Sequence, residues 1–150
     1  MFRMPFRQSP RSQRTKGFSL IELLFVLAAI GILSGIAIPS YMGQRRRARV
    51  IGDAIANAKV LQMAMESRRA EVGTYGTIGA TYNWMADGSD PSGPALAPMF
   101  QPVGNSKMNY NVQIDAITGV AYVLIVTDPN MGNAMAYSTN QTGQELFRMQ

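Results

Sequence analysis

The chain has 150 residues, 47% of them apolar and only 15% charged, with no cysteine and no histidine. The length admits one small domain plus a membrane segment. The missing residue types exclude a disulfide framework, thiol chemistry and the commonest general base and metal ligand. The net charge of +5 invites a nucleic-acid partner, but its location argues against one: Arg3, Arg7, Arg11, Arg14 and Lys16 carry +5 before residue 18, and residues 18–150 sum to zero.

Residues 1–17 are basic, rich in Ser, Gln and Pro, and hold no apolar run. They read as a cytoplasmic leader. A secretory signal would place its apolar stretch before a small-residue cleavage site. Here the small residue, Gly17, precedes it, so a cut after Gly17 leaves the apolar helix on the product.

From Phe18 to Met42 the only charged side chain is Glu22. At ~1.5 Å per residue a helix of this length crosses a hydrocarbon core of ~30 Å. A carboxylate in such a segment costs roughly 2.5–3.5 kcal/mol on insertion scales and marks a functional position. Gly31 and Gly35 form a small-xxx-small pair, and Pro39 with the nearby glycines is a candidate kink or melting point. Arg45, Arg46, Arg47 and Arg49 follow, suited to anionic headgroups, to acidic patches of neighbouring subunits, or simply to solvent.

Ile51, Ala54, Ile55, Ala58, Leu61 and Met65 recur at spacings of three and four, so the helix is expected to continue with one apolar face and to fade near Gly73. Residues 73–106 are rich in Gly, Pro, Ser, Asn and Asp and read as a long loop with little regular structure. Asn109–Ile117 and Val120–Thr127 read as strands joined by a tight hairpin at Thr118-Gly119. Ala134–Thr139 and Gln144–Met149, separated by Asn140-Gln141-Thr142-Gly143, read as a second hairpin. The expected fold class is α+β: a long N-terminal helix, transmembrane in its first half and amphipathic in its second, packed on a small antiparallel sheet. The expected segments are leader 1–17, transmembrane helix 18–42, amphipathic continuation 43–72 and globular domain 73–150.

The run Lys16-Gly17-Phe18-Ser19-Leu20-Ile21-Glu22-Leu23-Leu24, followed by Gly31-Ile32-Leu33-Ser34-Gly35-Ile36-Ala37-Ile38-Pro39-Ser40-Tyr41, resembles the N-terminus of the type IV prepilin family, pilins and type II secretion pseudopilins alike. The resemblance covers residues 14 to about 72, and the rest only in architecture. It implies cleavage between Gly17 and Phe18 by a membrane-embedded prepilin peptidase and N-methylation of Phe18 by the same enzyme. It also implies a Glu22 carboxylate that pairs with the amino terminus of a neighbouring subunit, and a segment ending at Pro39 that serves assembly. An α-ammonium and a carboxylate are each costly in lipid, and each lowers the cost of the other.

The expected function is therefore structural: a subunit of a type IV pilus filament, anchored in the inner membrane with its N-terminus cytoplasmic, then polymerised into an extracellular pilus or a periplasmic pseudopilus. The expected partners are copies of itself, the peptidase and methyltransferase, an inner-membrane assembly platform, and membrane lipid before assembly. The alternatives are a minor pilin with an adhesion or uptake role, a type II secretion pseudopilin, and a single-pass protein that never polymerises. No enzymatic activity, cofactor, metal site or nucleic-acid partner is expected. Asp87, Asp90 and Asp128 invite a calcium reading, but the spacing lacks the acidic residue that completes an EF-hand loop, and turn chemistry explains them.

Overall fold

A computed structural model describes residues 17–90, 92–104 and 107–150. The expected leader lies outside the described residues except for Gly17. Helix α1, Leu20–Val72, is followed by strand β1 (Thr81–Trp84), short helix α2 (Ser92–Leu96), and strands β2 (Asn109–Ile114), β3 (Tyr122–Asp128), β4 (Ala134–Asn140) and β5 (Glu145–Arg148). The strands form one antiparallel sheet in chain order, β1-β2-β3-β4-β5. The α+β expectation holds.

The chain divides into two units, residues 1–40 and 41–150. In the first, the described part is helical from Leu20, and its large apolar side chains are exposed. The helix assignment passes through Pro39 without interruption.

In the second unit, the rest of α1 carries the buried residues Val50, Ala54, Asn57, Ala58, Leu61, Gln62 and Met65. The apolar ones share one core with Tyr110, Val112 and Ile114 of β2 and with Tyr122, Leu124 and Val126 of β3. Strands β2 and β3 alternate buried and less buried residues, as a sheet covered on one face should. Two edge-to-face contacts join Trp84, Phe100 and Tyr110, with ring centroids 5.5 and 5.4 Å apart. Helix α1 ends at Gly73, whose φ of +86° supplies the left-handed cap and whose N–H donates to the Arg69 carbonyl at 2.8 Å. Just beyond, the Tyr75 hydroxyl donates to Glu66 at 2.5 Å and accepts from Arg69 at 3.0 Å, which fastens the exit turn to the helix.

Two expectations need correction. The segment 73–106 is not an irregular loop, since it holds β1 and α2. Strand β1 is short and gains its backbone partners from β2 (Thr81 opposite Gln113, Trp84 opposite Tyr110). Helix α2 forms from the poor helix formers Ser92-Gly93-Pro94 because tertiary contacts override propensity. Gly93 lies so close to the Trp84 ring and the Asn83 carbonyl that a Cβ there would overlap both. The β2–β3 connection is also wider than a tight hairpin, as β2 ends at Ile114 and β3 starts at Tyr122. Asp115 organises it: one carboxylate oxygen accepts from the Thr118 N–H and the Thr118 hydroxyl, both at 2.8 Å, and from the Ile117 N–H at 3.2 Å.

Two buried amides tie loops to the helix. The Asn57 side chain donates to the Val103 carbonyl at 2.7 Å and accepts from the Val103 N–H at 2.9 Å, matching the loop backbone as a strand would. Gln62 Nε2 donates to the Asn140 carbonyl at 2.9 Å, at the turn between β4 and β5. Inside that turn the Asn140 side-chain oxygen accepts from Thr142 N–H, Thr142 hydroxyl and Gln144 N–H. The cysteine-free C-terminal region is thus held by pairing to β4, by its turn and by one helix side chain.

Candidate functional site

The candidate site is the start of α1. Gly17 to Ser19 are not helical, and Leu20 is the first helical residue. Ser19 is therefore the N-cap, and Glu22 stands three residues on. The Ser19 N–H donates to Glu22 Oε2 at 2.8 Å, while Ser19 Oγ accepts from the Ile21 N–H at 3.3 Å. This is a capping box: two donors that the first helical turn leaves open are satisfied reciprocally, and a negative charge lies at the positive end of the helix dipole. The expectation above gives Glu22 a role between subunits and none in its own helix. The Ser-x-x-Glu spacing is the signal that carries the second role, and it names Ser19 as a residue the expectation missed.

Phe18 is 91% exposed, just outside the helix and one residue from the cap. Gly17 and Phe18 both lie outside any helix or strand. Gly31 and Gly35 have open space where a Cβ would be, so that face of the helix is unobstructed. Pro39 lies far along the same helix from Leu20, so the structure does not bring it to the cap. One 18-residue window of α1 has a mean hydropathy of 2.5 and none of it is buried, so the helix is long and apolar enough to cross a membrane.

Asp87, Asp90 and Asp128 serve local turns. Asp87 accepts from the Ser89 N–H, Asp90 from the Ser92 N–H and from the Asn83 amide, and Asp128 from the Asn130 N–H. Main-chain donors hold the Asp87 and Asp90 carboxyls below the usual carboxylate range, and the Thr118 hydroxyl does the same for Asp115. No group of three potential metal ligands occurs among the described residues.

Residues 12–38 match the family model described as the prokaryotic N-terminal methylation motif. A fimbrial protein of Pseudomonas aeruginosa is 39% identical over 87 residues, covering 51% of this chain and 56% of the relative. A fimbrial protein of Moraxella nonliquefaciens is 28% identical over 137 residues, covering 87% of this chain and 82% of the relative. The type II secretion system core protein G of Klebsiella pneumoniae is 33% identical over 54 residues, covering 34% of this chain and 39% of the relative. The chain spans little more than half the length of the Pseudomonas relative. No solved structure gives a significant match.

The chain thus carries the motif of N-terminal methylation and is similar, over its N-terminal part, to fimbrial proteins and to a type II secretion core protein. Two type IV major pilins, of Myxococcus xanthus and Neisseria gonorrhoeae, are likewise similar to it over part of their length.

Proposed function

We propose that the chain is a prepilin that becomes a structural subunit of a type IV pilus. It is cut between Gly17 and Phe18 by the prepilin peptidase, and the new amino terminus at Phe18 is methylated. The apolar half of α1 holds it in the inner membrane with the N-terminus cytoplasmic, and an assembly platform there feeds it into a filament of identical subunits. Pro39 belongs to the assembly segment. The observation that supports this reading most is the methylation motif over residues 12–38, with Glu22 as the single charge in a helix otherwise fit for lipid.

In this reading Glu22 does two things in turn. A carboxylate offers about four lone-pair sites, so capping Ser19 leaves capacity for the ammonium group of a neighbour. Association of apolar helices in lipid gains nothing from the hydrophobic effect. A charge pair between subunits offset along the filament would fix their register.

Glu22→Gln and Glu22→Ala separate these roles, because glutamine also serves at the third position of a capping box while alanine does not. Both variants should still be processed at Gly17–Phe18, and both should assemble at least tenfold less filament than the parent. If Glu22→Gln assembles normally and Glu22→Ala does not, Glu22 is a cap and the pairing reading fails.

A second reading, a type II secretion pseudopilin, is favoured by the Klebsiella similarity. Intact mass measured on membranes and on the sheared extracellular fraction separates the two. A shed species that begins at Phe18 and carries one extra methyl supports the pilus. A processed form confined to membranes supports the pseudopilus. Retention of residues 1–17 in cells that process other prepilins overturns both.

A further inference from the structure

We infer that Arg45, Arg46, Arg47 and Arg49 form a collar on α1 that binds the phosphate headgroups of anionic lipid, in the leaflet on the folded domain's side of the membrane. The inference rests on the proposed membrane insertion of the helix, and goes beyond it.

The first observation is placement. Leu20 to Tyr41 rises about 32 Å at ~1.5 Å per residue, close to the ~30 Å of a hydrocarbon core. Tyr41, exposed, stands at that end, where interfacial aromatics gather. Arg45 and Arg49 stand about 6 and 12 Å beyond Tyr41 at the same rise, so long side chains that reach back toward the membrane meet the headgroup layer.

The second is bareness. Residues 41–49 are all exposed, and Val50 is the first that the domain buries. Among the described residues none of the four guanidinium groups makes a hydrogen bond or ion pair with another side chain. Arg68 and Arg69, farther along the same helix, differ: they bond the Leu96 carbonyl and the Tyr75 hydroxyl.

The third is distribution. With about 3.6 residues per turn, Arg45, Arg46 and Arg47 project from three different sides of the helix, and Arg49 falls between the first two. Gln44 supplies a polar group on the remaining side. A protein partner docks on one face, and a one-sided stripe would serve it. A lipid surface meets a helix from all sides, which suits a collar. Guanidinium is the right group, since its planar fork meets phosphate oxygens in pairs.

The test uses the chain beginning at Phe18, without the five basic residues before it that would themselves draw anionic lipid, purified in a neutral detergent with bound lipid counted by native mass spectrometry. The probes are phosphatidylglycerol, phosphatidylcholine with the same acyl chains, and inorganic phosphate as competitor. Each basic residue near an anionic surface contributes roughly fivefold. The parent should therefore retain phosphatidylglycerol at least tenfold better than phosphatidylcholine, with no displacement by phosphate at matched concentration. The variant R45Q/R46Q/R47Q/R49Q should lose the preference, and the four lysine replacements should keep most of it.

The collar is refuted if the glutamine variant keeps the preference, or if the parent has none. Displacement by inorganic phosphate would make it a free-anion site and overturn the lipid assignment. A glutamine variant that retains lipid selectivity but no longer assembles would assign the arginines to subunit contacts instead. Failure of the parent to co-sediment with vesicles of either lipid is a separate result, and removes the membrane insertion on which the collar depends.

Discussion

Replacing Gln62 with alanine should cost about 1–2 kcal/mol, less than a buried amide usually implies. Gln62 is 8% exposed and its Nε2 donates at 2.9 Å to the Asn140 carbonyl and at 3.4 Å to the Thr139 hydroxyl. Only the first is well within hydrogen-bond range. Neither acceptor is orphaned by the change: the Asn140 carbonyl still receives the Gly143 N–H at 3.0 Å, and the Thr139 hydroxyl still donates to the Gln144 carbonyl at 2.9 Å. The loss is then one net hydrogen bond, about 1 kcal/mol, without the larger cost of an unsatisfied buried group. The side chain also borders an open cleft lined by Lys59, Met63, Glu66 and Gln141–Gly143, so water can fill the space it leaves. The assay is urea unfolding of the full chain in a non-denaturing detergent, followed by the emission of Trp84, the one tryptophan, which is buried in the same core. The midpoint should fall while the slope stays constant. A loss under about 0.3 kcal/mol means that the helix does not hold the β4–β5 turn through this bond. A loss above about 3 kcal/mol means that the acceptors are not independently satisfied, and the reasoning is wrong.

Asn57→Ala should cost about 2 kcal/mol, because both of its hydrogen bonds to Val103 are well formed and the side chain is 1% exposed. Limited proteolysis should then cut between residues 98 and 104 sooner than in the parent, and an unchanged cleavage pattern would show that Asn57 does not hold that loop. Gly93→Ala should cost about 3 kcal/mol through overlap with the Trp84 ring and the Asn83 carbonyl, with Trp84 emission shifted even before unfolding; retained stability and an unshifted spectrum would refute the close approach. Burial pushes the Tyr110 hydroxyl up to about 12 and the Tyr122 hydroxyl higher still. The unfolded chain loses these protons near pH 10 while the folded one keeps them, so stability is flat below about pH 10 and falls as pH rises towards 12. Tyr122→Phe should flatten that fall in alkaline unfolding curves, and an unaltered slope would remove Tyr122 as its source.

The long helix was legible because its two halves carry different signals: an unbroken apolar run from Leu23 to Ile30, then a three-and-four periodicity from Ala54 to Met65. Strand β2 was legible through alternation and β3 as a β-rich run, and Asn140-Gln141-Thr142-Gly143 announced the last turn. Strand β1 was not, since Thr81-Tyr82-Asn83-Trp84 is too short to establish a period and its neighbours on both sides are turn formers. Helix α2 is set by what surrounds Gly93 rather than by its own sequence. Asn57 and Gln62 escaped because an apolar-face reading passes over polar residues, even when they lie on the buried side. At the candidate site, Gly17, Phe18 and Glu22 were legible as a motif, while the local bond between Glu22 and Ser19 was passed over although Ser-x-x-Glu before an apolar run signals it.

A sheet whose spatial order equals its chain order forms from neighbours, and each strand after β1 finds the preceding one already beside it. Such low contact order favours rapid folding. The Gln62–Asn140 bond is the opposite, since it joins positions 78 residues apart. Closure of the helix on the β4–β5 hairpin therefore waits until Asn140 is in place. A truncated product can build β1 to β3, but it lacks the latch between Gln62 and the last hairpin and leaves the Gln62 end of the α1 core face less well covered. Completion of the β4–β5 hairpin is in this way read out by the domain itself, without the help of any cysteine.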